Sequence, residues 1–174
     1  MITIKIIAID PSGNFEEGKG VTGYIIAEVD EKTGEYEITS TGSIKAEDYE
    51  TRVEYFNAHR VLLRYNYKLA IVEDYRLYNH KGAKAAMQSY SLMETPRLLG
   101  ILEMESFVTR VPINWQMASE VMTAFSEDVL VARGELFKTG NRYKLRNNMP
   151  VNRHERSAYK HFLKWHYKNY RSDK

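Results

Sequence analysis

Apolar residues recur along this chain with two periods, and the switches between them mark out its elements. Ile2 to Ile9 is rich in isoleucine and alternates imperfectly, as a buried strand does; it stops at the turn formers Asp10-Pro11-Ser12-Gly13-Asn14. Gly20 to Val29 predicts a second strand, Asp30 to Gly34 a turn and Tyr36 to Ile44 a third strand. The chain therefore opens as an antiparallel meander, with Phe15 to Lys19 a polar loop between its first two strands. Glu47 to Tyr65 carries Val53, Phe56, Val61 and Leu62 at helical spacing, and Leu69 to Val72 is a short apolar strand running into Glu73 and Asp74. Gly82 to Phe107 contains a long helical pattern with Leu98, Leu99, Ile101 and Leu102 in it, and Pro96 marks a break or a fresh start. Val108 to Ile113 predicts a fifth strand and Ser119 to Phe125 a helix. Residues 127–151 are the least regular, punctuated by Gly134, Gly140, Asn147, Asn148 and Pro150. A final helix runs to Tyr170 with Asn152 as its N-cap.

The order βββ-α-β-α-β-α predicts a mixed α/β layer architecture. A length of 174 residues fits a single domain over 1–174, and no repeat or linker divides it. The absence of cysteine excludes a disulfide scaffold, a thiolate zinc site and a cysteine nucleophile. No run approaches the roughly 18 apolar residues of a membrane span, and the N-terminus does not read as a signal peptide, so a cytoplasmic protein with no membrane partner is expected.

A net charge of +2 conceals an asymmetry. From Arg133 onward twelve basic residues face three acidic ones, whereas the preceding residues hold thirteen basic and twenty acidic. A basic C-terminal quarter suits a polyanion and an acidic body suits metal ligation, although a solvated helical face with a basic tail has the same composition.

Asp10 closes a buried strand, and Glu73, followed by Asp74, closes another. If the two strands are neighbours, Asp10 and Glu73 project from adjacent ends at the edge of a ligand crevice. Carboxylates so placed repel unless a divalent cation bridges them, and their oxygens suit Mg²⁺ or Mn²⁺. Either one alone reads equally as a turn residue. In the last helix His154, Ser157, Ala158 and His161 share one face, with His154 and Glu155 in the first turn. That helix also reads as a closing element whose Phe162 and Trp165 pack on the core.

Taken together, these segments carry a resemblance. Ile7-Ala8-Ile9-Asp10-Pro11 followed by Gly20-Val21-Thr22-Gly23-Tyr24 resembles the opening of RuvC-type Holliday-junction resolvases, with a lengthened turn. Leu69 to Glu73 resembles the family's second acidic strand, Ala83 to Glu103 with Arg97 and Gly100 its following helix, and Asn152 to His161 the C-terminal motif of bacteriophage members. The resemblance implies a ribonuclease-H-like fold: a mixed five-stranded sheet, meander first and helix-linked strands after, flanked by helices. It implies Asp10, Glu73 and His154 as catalytic residues and metal ligands for Mg²⁺ or Mn²⁺, with two ions per site. The family's acidic residue three positions after the histidine is Ser157 here. Asp74 and Glu155 are the candidate replacements, although Glu155 lies about 100° around the helix from His154.

The activity implied is metal-dependent phosphodiester hydrolysis in four-way or otherwise branched DNA. Lys81, Lys84, Arg142, Lys144 and Arg146 are the candidate phosphate contacts, and Tyr75 and Tyr78 candidate stacking residues. Symmetric cutting of a junction requires two active sites, hence a homodimer, with Gly82 to Phe107 the expected interface. Two alternatives stand beside this reading. One is a nuclease of the same fold acting on flaps, forks, single strands or RNA. The other is a non-catalytic branched-DNA-binding protein that lost its metal site, which Ser157 favours.

Overall fold

Strand β1 (Thr3–Asp10) takes the centre of the main sheet because its residues from Ile6 to Ile9 are fully buried on both faces. Each isoleucine removed from water stabilises the fold by roughly 1.5–3 kcal/mol, and a central strand is the place where both faces gain. The computed structural model describes residues 2–75 and 93–170. β1 pairs antiparallel with β2 (Val21–Asp30), which pairs antiparallel with β3 (Tyr36–Lys45). On its other side β1 pairs parallel with β4 (Leu69–Asp74), and β4 with β5 (Ile113–Met117). The order β3-β2-β1-β4-β5 is the mixed five-stranded sheet that the sequence leads one to expect.

Alternation along the strands sorts the core into two halves. Ile6, Ala8 and Ile71 pack with Ala158, Tyr159, Phe162 and Leu163 of the last helix, α4 (Arg153–Tyr170). Ile7, Ile9 and Val72 pack on the other face against α1 (Arg52–Leu62) and α2 (Glu94–Thr109). α1 starts at Arg52 rather than at Glu47 because Thr51 and Glu54 form a capping box, each side chain accepting from the other's backbone N–H. Pro96 falls in the first turn of α2, where its missing N–H interrupts nothing.

Three stretches differ from the sequence expectation. Val108 to Ile113 is not a strand. α2 continues to Thr109, Arg110 closes it in the left-handed region (φ 58°), and the fifth strand begins only at Ile113. Phe107 and Val108, 86% and 65% exposed, are apolar residues on the outer side of a helix. Ser119 to Phe125 is a short 3₁₀ turn with irregular turns after it, and the helix α3 (Glu127–Ala132) follows, capped by Ser126. The irregular region also holds a second antiparallel sheet: β6 (Leu136–Thr139), β7 (Arg142–Leu145) and β8 (Pro150–Val151). Its hairpin turns at Gly140 (φ 60°) and Asn141, the glycine-first pattern that suits a tight two-residue loop. Leu136, Leu145 and Val151 join the α4 side of the core. Among the described residues, no helix is long and apolar enough to cross a membrane.

Candidate active site

Register places the two acidic strand ends together. Ile9 pairs with Val72, so Asp10 and Glu73 follow as neighbours one residue further on. Both share strand parity with the residues that face α4: Asp10 with Ile6 and Ala8, Glu73 with Ile71. Asp74 has the opposite parity, which turns it with Val72 toward the α1 and α2 face.

Helix α4 then delivers its first turns onto this pair. Asn152 Oδ1 accepts from the backbone N–H of His154 (2.8 Å) and Glu155 (3.0 Å), the capping arrangement expected from sequence. Glu155 completes the cap by accepting from Asn152 N at 2.9 Å, and its other oxygen accepts from Ser43 Oγ at 2.8 Å. Its carboxylate therefore orients the start of the helix and is not brought to Asp10 and Glu73. The close approach depends on Gly23, which pairs with Asp10 across β1 and β2. A Cβ there would stand 2.2 Å from the backbone carbonyl carbon of His154.

Each carboxylate finds one imidazole. His154 Nδ1 lies 3.0 Å from Asp10 Oδ2. Glu73 Oε2 accepts from His161 Nε2 at 2.9 Å and from Ser157 Oγ at 3.1 Å. His161 is fully buried, with its Nδ1 against Gln116 Oε1 at 3.1 Å. The helical spacing of seven residues puts His161 on the His154 face, and that spacing is the signal the sequence offers for its role. The turn after Asp10 is also held. Thr22 Oγ1 accepts from Ser12 N, His59 Nε2 lies 2.7 Å from Thr22 Oγ1, and Gly13 N donates to Thr95 Oγ1 at the start of α2.

Burial is the largest influence on Asp10 and holds its carboxyl above the usual range. The hydrogen bond from His154 opposes it, and the charge of Glu73 adds to it. Among the described residues, no three acidic or histidine side chains converge tightly enough to clasp a metal as they stand. The donor chemistry nevertheless fits a hard divalent cation. Two register-matched carboxylates, with the charge of Glu73 raising the cost of ionising Asp10 and one imidazole beside them, are an oxygen-rich set that a dication would neutralise.

The remaining candidates are dispersed. Tyr75, 41% exposed, follows β4 directly. Arg142, Lys144 and Arg146 are exposed on and beside the β6–β7 hairpin. Tyr78, Lys81, Lys84 and the first part of the Gly82–Phe107 helical pattern lie outside the described residues. A cavity of about 1090 Å³ lined by Tyr36, Tyr159, His166 and Tyr170 sits beside the β2–β3 turn, at the other end of the sheet from Asp10.

No protein-family model matches this chain, and no curated protein matches it in sequence. Solved structures do match. RuvC of Thermus thermophilus superposes with a TM-score of 0.63 at 18% identity, covering 95% of each chain. RuvC of the same organism in complex with a Holliday junction substrate superposes with a TM-score of 0.60 at 17% identity, covering 95% of this chain and 94% of that one. The Holliday junction resolvase of fowlpox virus superposes with a TM-score of 0.51 at 11% identity, covering 95% and 99%. At such identities the likeness is one of architecture, and the chain has the ribonuclease-H-like fold in the form shared by RuvC-type resolvases.

Proposed function

We propose that this protein is a divalent-metal-dependent endonuclease that cuts branched DNA, four-way junctions above all. The observation that carries the reading is the register-matched pair Asp10 and Glu73 beneath the first turn of α4, with His154 Nδ1 at 3.0 Å from Asp10. The solved structures of the same architecture are Holliday junction resolvases, which supports the substrate class.

Asp10, Glu73 and His154 would hold Mg²⁺ or Mn²⁺, and a bound ion supplies charge to polarise a phosphate and to acidify water. The chain's own groups do the rest. His154, 35% exposed at its side chain, orients Asp10 through Nδ1, which leaves Nε2 either to join the ion or to take or deliver a proton at the scissile phosphate. His161 and Ser157 fix the rotamer of Glu73. The N-terminal turn of α4 favours an anion such as phosphate.

The outer face of α2 supports a homodimer, as a junction with two symmetric cuts requires. Met104, Phe107 and Val108 are 71%, 86% and 65% exposed and share one face at i, i+3 and i+4. Ser157 favours one second reading, a branched-DNA-binding protein without cleavage.

The test is a cleavage assay on a labelled four-way junction, with duplex, flap and single-strand controls, in Mg²⁺, Mn²⁺ and EDTA. Paired nicks in the junction alone, and only with metal, are expected. Cutting of the controls equal to that of the junction would overturn the substrate class. Junction binding without cutting would establish the second reading.

A further inference from the structure

The β6–β7–β8 sheet has one face in the core and one in water. Leu136, Leu145 and Val151 point inward; Phe137, Arg142, Lys144 and Pro150 are exposed on the outer side. Register sets Phe137 opposite Lys144, Lys144 opposite Pro150, and Arg142 opposite Thr139 in the next row. The outer face is thus a small platform with an aromatic ring, 49% exposed, on its edge strand and two cations on the strand beside it.

The charge around it is one-sided. From Leu136 to His154 the chain holds five basic residues and no acidic one. Nearby cations of α4 are already matched: Arg156 and Lys160 with Glu127, Lys164 with Glu120. Among the described residues, Arg142, Lys144, Arg146 and Arg153 have no ion-pair partner. A globular surface that neutralises its helical lysines but leaves a hairpin uncompensated is complementary to a polyanion. An exposed ring beside that charge favours a polyanion with planar faces, because stacking gives it a contact that a solvated phenylalanine lacks.

We propose that this outer face binds an unpaired, single-stranded stretch of nucleic acid, with one base stacked on Phe137 and the flanking phosphates held by Arg142 and Lys144. The proposal rests on the branched-DNA reading and adds to it a second contact outside the acidic site. The platform is coupled to that site by the chain itself, since Pro150 lies four residues before His154. That spacing keeps the Pro150 edge of the platform within about 15 Å of His154 along the backbone, and Phe137 lies two strands, roughly 10 Å, across the face from that edge.

The test measures fluorescence anisotropy of a labelled oligothymidylate of about a dozen nucleotides, and of a blunt duplex of equal length, on the full chain and on Phe137→Ala, Phe137→Trp and Lys144→Gln. Phe137→Ala is expected to weaken single-strand binding about tenfold and to leave duplex binding unchanged. Phe137→Trp is expected to restore affinity, with its added tryptophan fluorescence quenched by the bound strand. Lys144→Gln should lower the salt dependence for both ligands. Equal single-strand affinity in Phe137→Ala and the parent overturns the platform. Junction cleavage by the parent, measured on the same preparation, keeps the nuclease reading intact if the platform fails; its absence together with any failure to bind DNA overturns both.

Discussion

Ser157 donates a hydrogen bond to Glu73 Oε2 at 3.1 Å, from the helix position at which RuvC-like sequences lead one to expect an acidic residue. The substitution leaves the contact in place while removing one negative charge from a crowded site. Asp10 is already buried and Glu73 already raises its cost of ionisation. In this chain a neutral donor therefore stabilises the metal-free state where a third carboxylate would repel.

Ser157→Asp follows directly. In EDTA the variant should melt below the parent, because a third carboxylate joins two that repel. Added Mg²⁺ should raise its melting temperature more than it raises the parent's, since tighter metal binding to the native state is read as added stability. Equal metal-induced shifts in the two proteins would show that position 157 does not face the cation site.

Gly23→Ala should damage activity more than it damages the fold. The added Cβ meets backbone of His154 rather than a flexible side-chain tip, so the start of α4 must retreat from β2. Overpacking of this kind costs about 1–3 kcal/mol. A displacement of His154 and Ser157 by about 1 Å should cost on the order of a hundredfold in cleavage. Thermal unfolding and cleavage rate, measured side by side, separate the two effects.

The behaviour of His59 sets an acid limit on stability. It is fully buried, and burial depresses its pKa from 6.5 to about 4. Its Nδ1 donates to the Tyr55 carbonyl oxygen at 2.7 Å, leaving Nε2 as the acceptor facing Thr22 Oγ1. A group depressed in the folded state contributes stability that is present above about pH 6.5 and is lost as pH falls toward 4. The loss from this one residue should be about 2 kcal/mol by pH 5. Urea unfolding at pH 7 and pH 5 checks it: His59→Gln should show a smaller difference between the two than the parent does. Identical differences would remove His59 as the cause.

The carboxylate of Glu105 ties α1 to α2. It is 2% exposed and accepts from Arg60 Nε and Arg64 Nε, each at 2.7 Å, which together hold its pKa low. Glu105→Gln should cost about 1.5–3 kcal/mol in denaturant unfolding, the range for hydrogen bonds to charged groups.

The halves of this molecule differ in how openly the sequence declares them. β1 and β4 are legible because short apolar runs end abruptly at polar residues, and Asp10 and Glu73 are legible because they sit at those ends. Asn152 is legible as a cap because its type and place suit nothing else. Phe107 and Val108 mislead for a physical reason: exposed apolar residues at a helix end imitate the start of a buried strand. The β6–β7 hairpin is hidden because its outer positions mix the apolar Phe137 with Arg142 and Lys144, and only Leu136, Leu145 and Val151 mark the buried side. His161 is hidden differently. Its partners, Glu73 and Gln116, lie on two other strands, and only the parallel register of β4 and β5 aligns them.

The central claim is that Asp10 and Glu73 form the cutting site, and Asp10→Asn tests it most directly. Junction cleavage in Mg²⁺ and junction affinity by gel shift are measured on parent and variant together. Cleavage should vanish while affinity stays within about twofold, because phosphate grip resides in the basic residues. The isosteric amide removes a buried, repelled carboxylate, so the metal-free variant should also melt above the parent. Equal cleavage by parent and variant would contradict the account, and would move the chemistry away from the end of β1.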